Sequence, residues 1–250
     1  GFRITRTFAN SPADNGGLQR GDQVVSLNSR SIADIVANEG VNAFFDANDT
    51  VDFEVQPLLG NVFTSTISKD IVTINPVPQW RVIDAGNGRM VGYLELSQFI
   101  STATPDLDAA FAAFNAASVS EVILDLRYNG GGLVSTAEEL GDYLGGFVAD
   151  GLIFSSTEFN ADRASNNGVT LFSEIVNRSV NLSQLVVIAT RSTASASELV
   201  TNSMISHVNV GIVGDNTFGK PVGQIGLEFC DKILRPTAFR LANADGDGDY

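Results

Sequence analysis

Val122-Ile123-Leu124-Asp125-Leu126-Arg127-Tyr128-Asn129-Gly130-Gly131-Gly132 is the stretch from which the fold can be read. Val122 to Leu126 is a nearly continuous apolar run, the pattern of a strand covered on both faces. The glycines end it, and the periodicity of Thr136 to Leu144 predicts a helix. The same order recurs on either side. Upstream, Val91 to Leu96 reads as a strand, and a helix over 105–117 follows, with Thr104 as cap and Pro105 at the first position. Downstream, the strand Leu185 to Ala189 precedes a helix over 196–206, and Val210 to Gly214 is a strand again. Strand–helix alternation of this kind predicts an α/β layer with largely parallel strands. The stretch from Asp150 to Ser183 is polar and poorly periodic, and no element is predicted in it.

The first quarter reads differently, rich in short strands and turns. Phe2 to Phe8 alternates as a strand should. Ser11 caps a short turn opened by Pro12, and Gln23 to Asn28 is a strand after the Gly21-Asp22 turn. Ile32 to Phe45 reads as one helix. Val51 to Val55 and Val62 to Ile67 pair as a hairpin around Gly60-Asn61. Asn75-Pro76-Val77-Pro78-Gln79 restricts the chain to extended conformations and marks a linker. Two strands around Gly86-Asn87-Gly88 open the second part. The predicted domains are therefore a small α+β domain, residues 1–75, and an α/β domain, residues 76–250.

Composition limits the chemistry. A net charge of −14 opposes binding to nucleic acid, whose phosphates require clustered Lys and Arg. One cysteine, Cys230, permits no internal disulfide and no cysteine-rich zinc site, and it is expected to be buried or half-buried. With one histidine, a metal would need oxygen ligands. Asp245-Gly246-Asp247-Gly248-Asp249 lacks the distal glutamate of an EF-hand loop and reads as a solvated tail. No apolar run is long enough to span a bilayer.

Three segments carry candidate chemistry. Ser195, in Ala194-Ser195-Ala196-Ser197-Glu198, follows a predicted buried strand and opens a helix, where open α/β sheets place ligands. A serine there is also a common helix cap. The glycine run can be a plain tight turn, or it can aim backbone N–H groups into a cleft. The N–H of Ala196 with that of Gly131 or Gly132 can form an oxyanion hole for acyl transfer. Lys220, after Thr217-Phe218-Gly219, is either an exposed turn lysine or a partly desolvated base for the Ser195 proton. Gln224 lies four residues on, where it can orient the amine. His207 follows Ser195 by 12 residues, about 18 Å along a continuous helix, too far for a Ser-His-Asp triad.

Taken in order, the Asp125-Leu126-Arg127…Gly130-Gly131-Gly132 turn, the Ser195 segment and the Lys220 segment resemble the tail-specific, or C-terminal processing, serine peptidases. Ser11-Pro12-Ala13, Gly17-Leu18, Gly21-Asp22, Val24-Val25 and Leu27-Asn28 resemble the PDZ domain of bacterial proteases. The resemblance implies a crotonase/ClpP-like α/β peptidase core with βαβ layers plus a small α+β PDZ-like domain. The carboxylate-binding loop of that domain falls before Phe2, and both ends read as incomplete.

By the same resemblance Ser195 is the nucleophile, Lys220 the general base and Gln224 the orienting residue, with Glu198 a third member in some relatives. It implies an extended polypeptide substrate bound through its C-terminus, no cofactor, and export to a bacterial periplasm or cell envelope. It does not fix an oligomeric state. Ser206 and Pro221 depart from the family pattern, which often has an acidic residue and a glycine there. A non-catalytic peptide-binding scaffold is the alternative function. An acyl-CoA enzyme of the related crotonase architecture is a third, and it leaves the PDZ-like part unexplained.

Overall fold

A computed structural model describes residues 2–248 and divides the chain into two compact units, Gly1–Ile74 and Asn75–Tyr250. The first contains, in chain order, β1 (Phe2–Arg3), α1 (Pro12–Asn15), β2 (Gln23–Leu27), β3 (Arg30–Ser31), α2 (Ile32–Asn38), α3 (Val41–Ala47), β4 (Thr50–Gln56) and β5 (Phe63–Ser68). Its antiparallel sheet runs β1-β2-β4-β5, with β3 on β2. Val24, Leu27, Ile35, Phe44 and Val51 form the core.

Local chemistry sets the ends of these elements. Ser11 and Ser31 accept hydrogen bonds from the N–H groups of Asp14 and Asp34, both at 3.2 Å, capping α1 and α2. The alternation expected over Phe2 to Phe8 is realised as a strand only at Phe2–Arg3. These residues pair with Val24 and Gln23, and the partner strand ends there at the Gly21-Asp22 turn. The single helix expected over Ile32 to Phe45 is two helices. Gly40, at φ 83°, breaks the chain in a conformation that glycine adopts without a Cβ penalty.

The second unit contains β6 (Gln79–Asp84), β7 (Met90–Glu95), α4 (Thr104–Ala116), β8 (Glu121–Asp125), α5 (Val134–Ala149), β9 (Ile153–Phe159), β10 (Gly168–Leu171), β11 (Gln184–Ala189), α6 (Ala196–Ile205), β12 (Asn209–Gly214), β13 (Val222–Gln224), β14 (Leu227–Phe229), β15 (Lys232–Leu234) and β16 (Thr237–Ala242). One sheet runs β12-β11-β8-β7-β6, parallel except for the β6–β7 hairpin. The polar stretch after Asp150 supplies β9 and β10. Together with β16 and β13 they make a second, antiparallel sheet in the order β10-β9-β16-β13. Ser155, Ser156 and Thr157 fill the middle of β9, so apolar periodicity does not reveal it.

The core joins Leu94, Leu124, Leu185 and Val187 of the first sheet to Phe111 and Phe114 of α4, Leu140 and Leu144 of α5, and Val200 and Met204 of α6. Phe154 and Leu241 of the second sheet belong to the same core. Along β8 and β11, residues alternate between buried and half-buried instead of being buried throughout, so the first sheet meets this core with one face. Thr104 is not a cap. A 3-10 turn at Ser101–Ala103 runs directly into α4, and the Thr104 hydroxyl instead donates to Glu139 at 2.8 Å. Cys230 is exposed, at φ 54° in the turn between β14 and β15, because this two-stranded ribbon projects Leu227, Phe229, Ile233 and Leu234 outward.

Helix α5 shows what its glycines are for. A Cβ on Gly141 would lie 2.4 Å from the Phe154 ring, and one on Gly145 would lie 2.6 Å from Phe172. Helix propensity alone favours alanine over glycine by about 1 kcal/mol. Overpacking reverses this, so Gly141→Ala is expected to destabilise by about 1–3 kcal/mol in urea denaturation.

Asp142, on the same helix, has its carboxyl pushed up to about 6, by burial first and by Glu138, Glu139 and Asp150; the Ser173 N–H opposes the shift. Its folded-state pKa lies above its unfolded value, so this group favours the folded state at acid pH and that contribution is lost as pH rises toward 6. Asp142→Asn keeps an acceptor for the Ser173 N–H, 2.8 Å away in the wild type. The variant's melting temperature should therefore gain on wild type as pH rises from about 4 to 7, which a calorimetric pH series reads directly.

Candidate active site

The carboxyl ends of β8 and β11 lie side by side, so the loops that leave them meet. The loop after β8 is pinned at Asp125. Its buried carboxylate accepts from the Tyr93 hydroxyl at 2.9 Å and from Arg127 Nε at 2.8 Å, with Arg127 Nη2 as a further partner. Burial pushes this carboxyl up, but the Arg127 guanidinium, the Arg127 N–H and the Tyr93 hydroxyl outweigh it and hold it below the usual carboxylate range. The Tyr93 hydroxyl is pushed up to about 12, by burial first and then by Asp125. Asp125 is thus an ionised anchor for the turn.

The loop after β11 carries the nucleophile candidate. Ser195 is half-buried at φ 58° and ψ −115°, a backbone conformation that glycine favours. It forms the sharp turn from strand into α6. Neighbours hold it there: the Thr193 hydroxyl donates to Leu126 O at 2.7 Å, and the Ala194 N–H donates to Asn129 O at 3.0 Å. The Ser195 N–H donates to the Glu198 carboxylate at 2.7 Å. A serine in such a backbone is a recognised nucleophile arrangement, because the turn exposes the hydroxyl at the end of the sheet.

Around it, the structure sorts the expected residues. Gly131 packs so closely that a Cβ there would lie 2.9 Å from the Ala196 nitrogen and 2.9 Å from Ser195 Cβ. The Gly131 N–H, however, donates to Asn129 Oδ1 at 2.9 Å and is not available to a ligand. Gly132, at φ 147°, is bridged to Phe99 through its neighbours: Phe99 N–H donates to Gly131 O and Leu133 N–H to Phe99 O. Among the described residues, the N–H groups of Gly132 and Ala196 are both left without a protein acceptor.

Lys220 reaches the site through its backbone. Glu198, 2% exposed, accepts from the Gly219 N–H at 2.5 Å and the Lys220 N–H at 3.0 Å, in addition to that of Ser195. The Phe218 N–H donates to Thr193 O at 2.9 Å. The Lys220 side chain is half-buried, and among the described residues no carboxylate lies within ion-pair distance of its amine. The Gln224 side chain is exposed and forms no hydrogen bond among the described residues, and a register shift lies beside it between Gly223 and Gln224 in the β13–β16 ladder.

His207 serves the second sheet. Its Nε2 lies 2.9 Å from Ile153 O and its ring meets Phe172 edge-on at 5.0 Å. Ser206 donates to Asp245 at 2.8 Å, tying the loop after β16 to the end of α6. In that loop Asp247 uses its backbone on Asn202 and Asn243, and no metal-binding group of side chains occurs among the described residues; Asp249 lies outside them. Sequence reasoning missed Asn129, which is fully buried at the centre of these contacts. Its signal was an asparagine two residues before a glycine, the pattern of a side chain that bonds the backbone ahead of it.

Known proteins resemble this chain. The carboxyl-terminal-processing protease of a Picosynechococcus species is 26% identical over 223 residues, covering 88% of this chain and 51% of its own length. The carboxy-terminal processing protease CtpA of Bacillus subtilis is 26% identical over 98% of this chain and 50% of its own. The chain spans about half the length of the curated relatives it matches. Among solved structures, a putative S41 protease from Bacteroides fragilis superposes with a TM-score of 0.77 at 25% identity, over 99% of this chain and 67% of the other. The photosystem II D1 C-terminal processing protease shares the fold with a TM-score of 0.62 at 24% identity, over 99% of this chain and 65% of the other. The model of peptidase family S41 matches residues 90–248, which include the glycine loop, Ser195 and Lys220. The chain belongs to peptidase family S41.

Proposed function

We propose that this chain carries the active site of a carboxyl-terminal-processing serine peptidase that cleaves extended or unfolded polypeptides. The observation that carries this reading is the Glu198 carboxylate, which holds the Ser195 and Lys220 segments together through three backbone N–H groups. Lys220 takes the Ser195 Oγ proton as Oγ attacks the scissile carbonyl carbon. The oxygen of the tetrahedral intermediate accepts from the N–H groups of Gly132 and Ala196. Collapse breaks the C–N bond, and the leaving amine takes the proton from Lys220. Water then attacks the acyl-enzyme, passing a proton through Lys220 back to Ser195 and releasing the new carboxylate. Gln224 is assigned to orient the Lys220 amine, through a bond not formed in the substrate-free geometry.

The first unit is assigned to PDZ-like binding of the polypeptide near its C-terminus. A pocket lined by Phe8, Phe45, Val51, Phe53 and Ile67, with Lys69 at its edge, supports that role. The core is assigned to the crotonase/ClpP-like class, and the protein to an exported location, as the relatives' lineages suggest. No helix among the described residues is long and apolar enough to cross a membrane.

The test is labelling with a serine-reactive fluorophosphonate alongside cleavage of unfolded casein and of C-terminal peptides. Labelling of wild type that disappears in Ser195→Ala, with cleavage lost in parallel, supports the reading. Peptide binding without labelling or cleavage points instead to a scaffold on a peptidase fold.

A further inference from the structure

Asn129 bonds three segments at the site: the residues after β7, its own glycine run and the loop after β11. It is 0% exposed. Its Nδ2 donates to Leu96 O at 2.9 Å, just beyond β7, and its Oδ1 accepts from the Gly131 N–H at 2.9 Å. Its main-chain oxygen accepts from the Ala194 N–H and the Ser197 hydroxyl, both at 3.0 Å. Beyond it, the glycine run is held by the Phe99 N–H bond to Gly131 O. Gly130, Gly131 and Gly132 lack side chains, and Gly131 and Gly132 sit at φ 96° and 147°, where glycine has wide freedom.

We propose that Asn129 is the positioning residue of the oxyanion hole. By engaging the Gly131 N–H, its side chain orients the glycine run so that the Gly132 N–H is left for substrate. By receiving Ala194 and Ser197, its main chain sets the Ala196 N–H beside that run. Asn129 acts through these donors and touches no reacting atom. The inference rests on the serine peptidase reading above and adds to it the residue that arranges the transition-state donors.

The chemistry of the two side-chain bonds gives a selective test. Asn129→Asp keeps an acceptor for the Gly131 N–H but, when ionised, has no donor for Leu96 O. When protonated, its O–H restores that donor. Burial raises a carboxyl's pKa, so the protonated form is reachable at mildly acid pH. With fluorescein-labelled casein, kcat of Asn129→Asp at pH 8 should fall about 100-fold, the loss typical of a misplaced oxyanion donor. KM should change little, and the ratio of the variant's kcat to that of wild type should rise as pH is lowered toward 5. Casein affinity measured in a Ser195→Ala background should be unaffected, since the hole binds the intermediate and not the ground state.

A kcat within about threefold of wild type in a variant that melts normally overturns the proposal. So does a loss carried by KM alone. If the aspartate variant does not melt cooperatively, Asn129→Ala decides by the same split of kcat from KM. Failure of both to fold makes Asn129 a purely structural residue and overturns it too. Wild type that neither cleaves casein nor reacts with fluorophosphonate removes the peptidase reading itself, and the proposal with it.

Discussion

Ser195→Ala and Lys220→Ala are each expected to lower kcat by roughly 10⁴–10⁶-fold, the range seen when a serine nucleophile or its base is removed. Because the two act as a unit, the double variant should be little worse than either single one. Lys220 is half-buried and its amine has no carboxylate partner among the described residues, so its removal leaves no countercharge behind. Stability should therefore stay near wild type while activity disappears. Lys220→Arg sharpens the test: the guanidinium keeps the positive charge but cannot be deprotonated in a protein. If positive charge alone were the requirement, arginine would retain activity. If proton acceptance is the requirement, arginine should be as inactive as alanine, and single-turnover acylation kinetics read the difference.

Glu198→Ala should be the most damaging change to stability around the site. The wild-type carboxylate is 2% exposed and accepts from three backbone N–H groups. Alanine leaves all three donors without a protein acceptor. A buried donor left unmade costs about 1–3 kcal/mol, and with partial relaxation the sum is about 3–5 kcal/mol. Urea midpoints measure it. Activity should fall as well, since the Ser195 and Lys220 segments lose their shared tie. Glu198→Gln keeps one acceptor oxygen and turns an NH2 toward the remaining donor, so its effect should lie between wild type and alanine. An alanine variant as stable as wild type would show that water replaces the carboxylate, and the stitching argument would fail.

Much of this was legible because apolar periodicity reports burial. The strands around Val122 to Leu126 and Leu185 to Ala189 declare themselves, as does α6. The break at Gly40 was missed although the phase signals it: at about 100° per residue, Ile32, Ile35 and Val36 share one face and Val41, Phe44 and Phe45 fall on the opposite one. The β9 strand was missed since its buried Ser155 is polar. At the site, sequence order put forward Ser195, Ala196, Gly132 and Lys220 as candidates. It could not show that the Gly131 N–H is already taken, nor that Glu198 reaches across 21 and 22 residues to Gly219 and Lys220. Those are three-dimensional pairings of polar groups, which carry no period. The expectation for Gln224 rested on its place four residues after Lys220 and on the family resemblance, and the register shift beside it is invisible to both.

The backbone at Ser195 has a consequence for how such a chain can change over time. At φ 58° and ψ −115° the position favours glycine, so the serine is kept in place against the local preference of the chain. Ser195→Gly would relieve that conflict by about 1 kcal/mol and remove the hydroxyl in the same step. Selection for expression or thermal tolerance alone would therefore push this position toward an inert protein. A screen for hardier variants of this chain has to score cleavage in the same assay, or its winners will tend to be the dead ones.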